Sequence, residues 1–399
     1  MNYDNRAWTE INLDVLCNNI KAIRSYVNPS AKVMGVVKAD AYGHGYLEVA
    51  KTLLSGGADA LGVACLDEAI QIRRCGIECP ILILGNSRTD EAETLIKNHV
   101  MPACYEYSFA KVLSDVACSL GRKAKIHIKV DTGMGRVGFR YTDDKEAGEI
   151  SLNEIIKIAN LPGICVDGIF THFAVADEDD DEYTNLQFER FLEICKRLEE
   201  AGVHIPVKHC ANSAAIIRFP HMHLDMVRAG IVLYGLKPSS FVECDFLGIE
   251  PVMTFKAKTT NIKTVEKGSS ISYGRKYKSD MERRIATIPV GYADGYSRVL
   301  SNKAQVIVNG ELCNIVGNIC MDQCMIDVTN VNNISIGDEV ILFGKGSGAE
   351  LPVESLAEKM GTINYEILCM VGKRIPRVYI KDGVYKSIHN YLLDSPVVD

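Results

Sequence analysis

No apolar run in the 399 residues reaches the roughly 18 needed to cross a bilayer, and no block of Lys and Arg stands out. Neither a G-x-S-x-G elbow nor a Walker phosphate loop occurs. The opening Met1–Arg6 lacks the basic-then-apolar pattern of a secretory signal, so the expected compartment is the cytoplasm. Cysteine is plentiful, with fourteen residues, but metal-ligand spacing is not. Cys75/Cys79 and Cys320/Cys324 have neither a second pair nor a histidine cluster beside them, so no metal is expected and most cysteines read as small buried hydrophobes. Forty-four Lys and Arg against 51 Asp and Glu leave a formal charge of −7. That balance gives no electrostatic footprint for nucleic acid or an anionic membrane, and points to a small-molecule partner.

What is present is the composition of a globular protein, 47% hydrophobic and 24% charged, long enough for two or three domains. Between residues 30 and 235 eight short apolar runs alternate with helical patterns: 33–38, 60–65, 81–85, 100–104, 125–130, 166–171, 206–210 and 224–228. Eight successive strand-helix units predict an eight-stranded parallel (β/α)8 barrel, assigned to residues 1–240. Residues 241–399 change to β-rich segments at 252–265, 284–290, 304–308, 324–328 and 339–343, predicting a separate, mainly antiparallel β domain. Asn309-Gly310 signals a hairpin and 352–360 a helix. The acidic run 177–182 reads as a solvated loop.

Barrel chemistry sits at the C-terminal ends of the strands. Five runs end in polar residues: Lys38; Lys129 and Asp131, with Arg136 beyond; His172; His209, with Asn212 and Ser213; and Arg228. One lysine at a strand end is ordinarily a part-exposed structural residue. Five such ends in one mouth point to a site. A partly desolvated Lys38 among other cations has its charged form disfavoured, which suits imine chemistry. Gly43-His44-Gly45 and Gly133-Met134-Gly135 give backbone amides access to an anion, and Gly230-Ile231 follows the last strand, where such barrels often hold phosphate.

The segments 36–45 (VVKADAYGHG), 129–138 (KVDTGMGRVG), 170–173 (FTHF), 212–215 (NSAA), 272–274 (SYG), 289–296 (PVGYADGY), 320–323 (CMDQ) and 363–366 (INYE), in that order, carry a resemblance over nearly the whole chain. The sequence resembles the alanine racemase family, enzymes that use pyridoxal 5′-phosphate on an α/β barrel followed by a β domain. The resemblance implies that Lys38 carries the cofactor. Tyr42, Ser213, Gly230, Ile231 and Tyr365 hold its phosphate, and Arg228 faces the ring nitrogen. An arginine there cannot accept the ring proton, so the ring stays neutral and reprotonation at Cα is favoured.

Racemisation needs a base on each face of Cα. The resemblance gives the second face to Tyr273, supplied by the partner subunit of a head-to-tail homodimer, with His172 tuning that base. Read without the family, Tyr273 is a partly buried strand aromatic. Arg136 and Met321 are implied contacts to the substrate carboxylate region, Met321 again from the partner. Lys129 matches a position carbamylated in many relatives, and Tyr292 and Tyr365 narrow the entrance to a pocket sized for a methyl group.

Two positions depart from the common pattern: Ala229 stands where many relatives have proline, which bears on cofactor affinity, and Asn318 stands where arginine is frequent. The expected activity is interconversion of L- and D-alanine, supplying D-alanine for peptidoglycan. The alternatives are a serine or broad-spectrum racemase, which a single hydroxyl in an apolar pocket distinguishes poorly, and a pyridoxal-phosphate-binding protein without turnover. Single-domain binders lack the β domain present here. The glycine-triplet loop and late Cys-Asp motif expected of a related decarboxylase are missing.

Overall fold

Each of the eight apolar runs forms a strand, because β-branched and aliphatic residues bounded by Gly, Pro or Asp are buried on both faces of a parallel sheet. The computed structural model describes residues 5–346 and 348–394, so the first four residues of the opening segment lie outside it. The strands are Lys32–Val36, Ala60–Val63, Ile81–Ile83, Val100–Cys104, Ala124–Asp131, Ile164–Phe170, Val207–His209 and Met226–Ala229. The first seven strands pair successively in parallel and the eighth pairs in parallel with the first, with Arg228 opposite Met34. Between the seventh and eighth, the Asp225 amide donates to the Lys208 carbonyl at 3.1 Å and the Arg228 amide to the Ala211 carbonyl at 3.0 Å, nearly closing the barrel. Met34, Ala60, Leu82, Met101, Ala103, Phe170 and Met226 fill the interior, so it is a packed core rather than a pore.

The acidic run is more than a loop. Asp180 caps a helix, Asp181–Glu200, by accepting from the Tyr183 amide, and Asp181 and Glu182 occupy its first turn, where the helix dipole favours negative charge. Asp181 also pairs with Arg218.

The barrel unit runs over Leu16–Ala41 and Tyr46–Glu250. The other unit comprises the described part of 1–15, Tyr42–Gly45 and the described part of 251–399. The division at 240/241 read from the sequence is therefore displaced. Its larger error lies at the other end of the chain, where Ala7–Asn12 is a central strand of the β unit, antiparallel to Met253–Lys258 and parallel to Arg377–Lys381. Apart from that parallel pairing, the large sheet is antiparallel. The segment 252–265 splits into two strands, Met253–Lys258 and Asn261–Val265, and the second joins Arg283–Ile288 and Cys324–Asp327 in a separate sheet. The Asn309-Gly310 hairpin forms as read, with Val308 opposite Glu311, and the helix runs Val353–Met360.

Six cysteines are buried, while Cys65, Cys118 and Cys369 are exposed, so fewer serve as core residues than their apolar neighbours suggest. Among the described residues, no helix is long and apolar enough to cross a membrane.

Candidate active site

The first barrel strand ends at Val36, and Lys38 opens a short turn of unusual hand. Ala39, Asp40, Ala41 and Tyr42 all have φ between 53° and 55°, four consecutive left-handed residues with side chains. Each such residue costs about 1–2 kcal/mol relative to the right-handed form, so the turn persists because its surroundings fix it. Glu68 supplies part of that restraint: its carboxylate accepts the Ala39 amide at 2.6 Å and the Ala64 amide at 2.7 Å. The strained residues 39–42 include no glycine, and Glu68 carries no sequence signal.

At the centre of the mouth lies Arg228, 4% exposed. Its Nη1 donates to His209 Nδ1 at 3.1 Å, and its Nη2 faces the carbonyls of Thr171 and Cys210, both at 2.9 Å, and His172 Nδ1 at 3.2 Å. All four partners are neutral acceptors. Among the described residues no carboxylate lies within ion-pair distance, and burial pushes the guanidinium down to about 10. Lys129, 4% exposed, sits with Nζ 4.4 Å from the centre of the Phe170 ring. Burial, then Arg228 and Arg136, hold its ammonium well below the ordinary lysine range, against Asp131. Burial, Arg228, Lys129, Arg136 and Lys38 similarly keep His172 neutral.

The mouth thus collects cations far in excess of anions, and a buried arginine without a counter-ion is costly unless a ligand completes it. Beside it, Ser213 Oγ accepts the Gly230 amide at 2.9 Å, which leaves the hydroxyl hydrogen to face an oxygen acceptor. Ile231 follows at the start of a 3-10 turn. Arg136 is exposed on a loop whose pocket, about 460 Å³, is also lined by Asp131, Gly133, Gly135 and Gly138. Asp131 shapes that loop by accepting the Gly133 and Gly135 amides at 3.0 and 3.1 Å. This donor set fits an anionic cofactor with a phosphate and a ring nitrogen, since Arg228 Nε and one Nη1 hydrogen are left for a further acceptor.

The barrel residues Lys38, Lys129, Arg136, His172, Ser213, Arg228, Gly230 and Ile231 all belong to one unit. The remaining sequence-derived residues belong to the other. There, the rings of Tyr42 and Tyr365 lie 6.0 Å apart, with burial raising the Tyr42 phenol far above its ordinary range. The Tyr292 amide donates to the Cys320 carbonyl and the Ala293 amide to the Met321 carbonyl, both at 3.0 Å, which brings Tyr292 and Met321 together. Asp294 fixes that turn from beneath: fully buried, it accepts the Gly291 amide at 3.0 Å and pairs with Arg6 and Arg374. Tyr273 is 68% exposed on a 3-10 turn, and so is not the partly buried strand aromatic expected without the family.

Residues 11–238 match the family model described as alanine racemase, N-terminal domain, and residues 252–379 match alanine racemase, C-terminal domain. The chain is 50% identical to an alanine racemase of Clostridium tetani and 47% identical to one of Clostridium perfringens, each over 96% of this chain and 98% of the relative. A solved alanine racemase of Clostridium difficile 630 superposes with a TM-score of 0.93 at 44% identity, covering 98% of this chain and all of that one. Fold, site and full-length similarity agree: the chain belongs to the alanine racemase family.

Proposed function

We propose that this protein interconverts L- and D-alanine with pyridoxal phosphate, using Lys38 and Tyr273 as bases on opposite faces of Cα, and so supplies D-alanine for peptidoglycan. The observation that carries the reading is the buried Arg228, ringed by neutral acceptors and lacking a carboxylate among the described residues. When bound, pyridoxal phosphate withdraws electrons from the amino acid's Cα and so eases loss of its proton. Lys38 is the residue to hold that group and to serve one face. Ser213, Gly230 and Ile231, with the phenols of Tyr42 and Tyr365, are assigned to the phosphate. Arg228 would donate to the ring nitrogen and cannot accept a hydrogen bond from a protonated one, so it favours the unprotonated ring, which keeps electron density at Cα and favours return of a proton there over side reactions.

The second base is assigned in trans. Tyr273, Tyr292 and Met321 are 68, 40 and 53% exposed, large side chains left bare on the β unit around a strained turn. Their exposure supports a head-to-tail homodimer in which each chain's β unit completes its partner's barrel mouth. Arg136, through its planar fork, and Met321 are assigned to the substrate carboxylate region. Lys129, whose charged form burial disfavours, is assigned as the carbamylated residue that orients Arg136, with the phenols of Tyr292 and Tyr365 narrowing the pocket to a methyl group.

Tyr273→Phe tests the assignment of the second base. The variant keeps the aromatic ring but not the proton-carrying oxygen, so turnover drops by at least about a hundredfold while the cofactor stays bound. Undiminished turnover in both directions rejects the two-base reading.

A further inference from the structure

The turn presenting Tyr273 is built against its backbone preferences. Ser272 has φ +68°, a left-handed value for a residue with a side chain, and Gly274 follows at +74°. Such a turn persists where neighbours over-determine it. Here the restraint is reciprocal. Ser272 Oγ donates to the Asn318 carbonyl at 2.6 Å, and Asn318 Nδ2 donates to the Tyr273 carbonyl at 2.6 Å. The two segments also meet closely at Gly317, where an added Cβ would stand 2.7 Å from Ser272 Cβ and 2.8 Å from the Ile271 carbonyl oxygen.

Asn318 is itself anchored. The preceding Gly317 amide donates to Asn302 Oδ1 at 2.7 Å, and the following Ile319 amide donates to Ser301 Oγ at 3.0 Å. Asn318 is 6% exposed, against 68% for Tyr273. The amide therefore grips the inner side of a turn whose phenol faces outward.

We infer that Asn318 is a positioning residue for the Tyr273 base: its side-chain amide, clamped to the Tyr273 carbonyl, fixes where the phenol stands for proton transfer. The inference rests on the proposed role of Tyr273. Proton transfer demands hydrogen-bond reach, and a misplacement of about 1 Å costs up to a hundredfold in rate. Removing the donor while keeping the Ser272 bond to the residue 318 carbonyl loosens one half of the clasp and leaves the other. Asn318→Asp does this with nearly unchanged shape, because its carboxylate faces the Tyr273 carbonyl without a proton to donate.

The experiment assays holoenzyme in both directions with alanine carrying protium or deuterium at Cα, comparing wild type, Asn318→Asp, Asn318→Ala, Asn318→Gln and Tyr273→Phe. For Asn318→Asp and Asn318→Ala, kcat falls about tenfold or more, KM moves less than about threefold, and cofactor absorbance is retained. The primary isotope effect rises for the enantiomer whose proton Tyr273 removes and falls for the other, because only one of the two proton transfers has slowed. Asn318→Gln, which keeps a donor, recovers part of the loss and also carries the test if the aspartate variant does not fold. Wild-type turnover in both donor-less variants overturns the inference. So does an equal loss in both directions with unchanged isotope effects, the signature of a purely structural role. If Tyr273→Phe retains full turnover, the base assignment itself has failed, an outcome distinct from failure of the clasp.

Discussion

His127 Nδ1 lies 2.9 Å from His209 Nε2 inside the barrel, with both side chains buried. The direction of that bond follows from Arg228, which can only donate. Because Arg228 Nη1 faces His209 Nδ1, the His209 proton resides on Nε2 and is donated to His127 Nδ1. His127 then carries its own proton on Nε2, toward Asp167 at 4.0 Å. The orientation of Arg228 is thereby tied to a chain of rings that reaches through the core of the barrel.

Gly168 leaves the room this chain requires. A Cβ at that position would stand 2.4 Å from both Cε1 and Nδ1 of His127, the nitrogen that receives the His209 proton. Gly168→Ala is expected to displace the imidazole, destabilise the barrel by about 1–3 kcal/mol and lower kcat/KM roughly tenfold. Thermal unfolding and steady-state turnover check this, and wild-type values in both contradict it.

Acid sensitivity follows from the same rings. Burial lowers His127 to about 4, and burial with Arg228 holds His209 and His172 well below the ordinary histidine value. As pH falls below about 6.5, the unfolded chain takes up protons that the native one refuses, so stability present above that pH is lost toward about pH 4. Each ring contributes up to about 1.4 kcal/mol per pH unit in that window. The urea midpoint is expected to fall between pH 7 and pH 5, less steeply in His127→Gln. A midpoint independent of pH excludes buried neutral histidines.

Lys129 provides a chemical test. Burial, then Arg228 and Arg136, disfavour the charged form of its amine, and the unprotonated amine can attack carbon dioxide, forming an N–C bond and releasing one proton to solvent. The product is an anion beside Arg136 and Arg228, in a mouth short of negative charge. Protein equilibrated with 13C-bicarbonate is expected to show a carbamate resonance that disappears in Lys129→Met. No such resonance in the wild type rejects the assignment.

The proposed sharing of each site between two chains predicts complementation. Lys38→Ala and Tyr273→Phe are each expected to be nearly inactive, yet a mixed dimer has one site carrying both lesions and one carrying neither. Random reassortment of equal amounts yields about a quarter of wild-type activity, since half the dimers are mixed and each has one intact site. If mixing restores nothing, both bases belong to the same chain.

The barrel was legible because each strand is a self-contained apolar run closed by a breaker and followed by a helical pattern. Ala7–Asn12 was not, because what makes it a strand is its pairing with segments near residues 255 and 378, far along the chain. Polar strand ends located Lys38, Lys129, His172, His209 and Arg228. His127 lies inside an apolar alternation, where only Ile126-His127-Ile128 hinted at a buried polar ring. The left-handed turn after Lys38 could not be read, since Lys-Ala-Asp-Ala-Tyr has no glycine to announce positive φ. Glu68 and Asn318 were missed as supports because both act on backbone groups, which sequence does not display.

Chiral analysis of product from the cofactor-loaded protein, offered L-alanine and separately L-serine, decides whether the protein racemises alanine. D-Alanine is expected to form much faster than D-serine, with the mixture approaching equal amounts of the two alanine enantiomers. Comparable rates for the two substrates contradict a pocket sized for a methyl group, and no D-product from either, with the cofactor bound, contradicts racemisation itself.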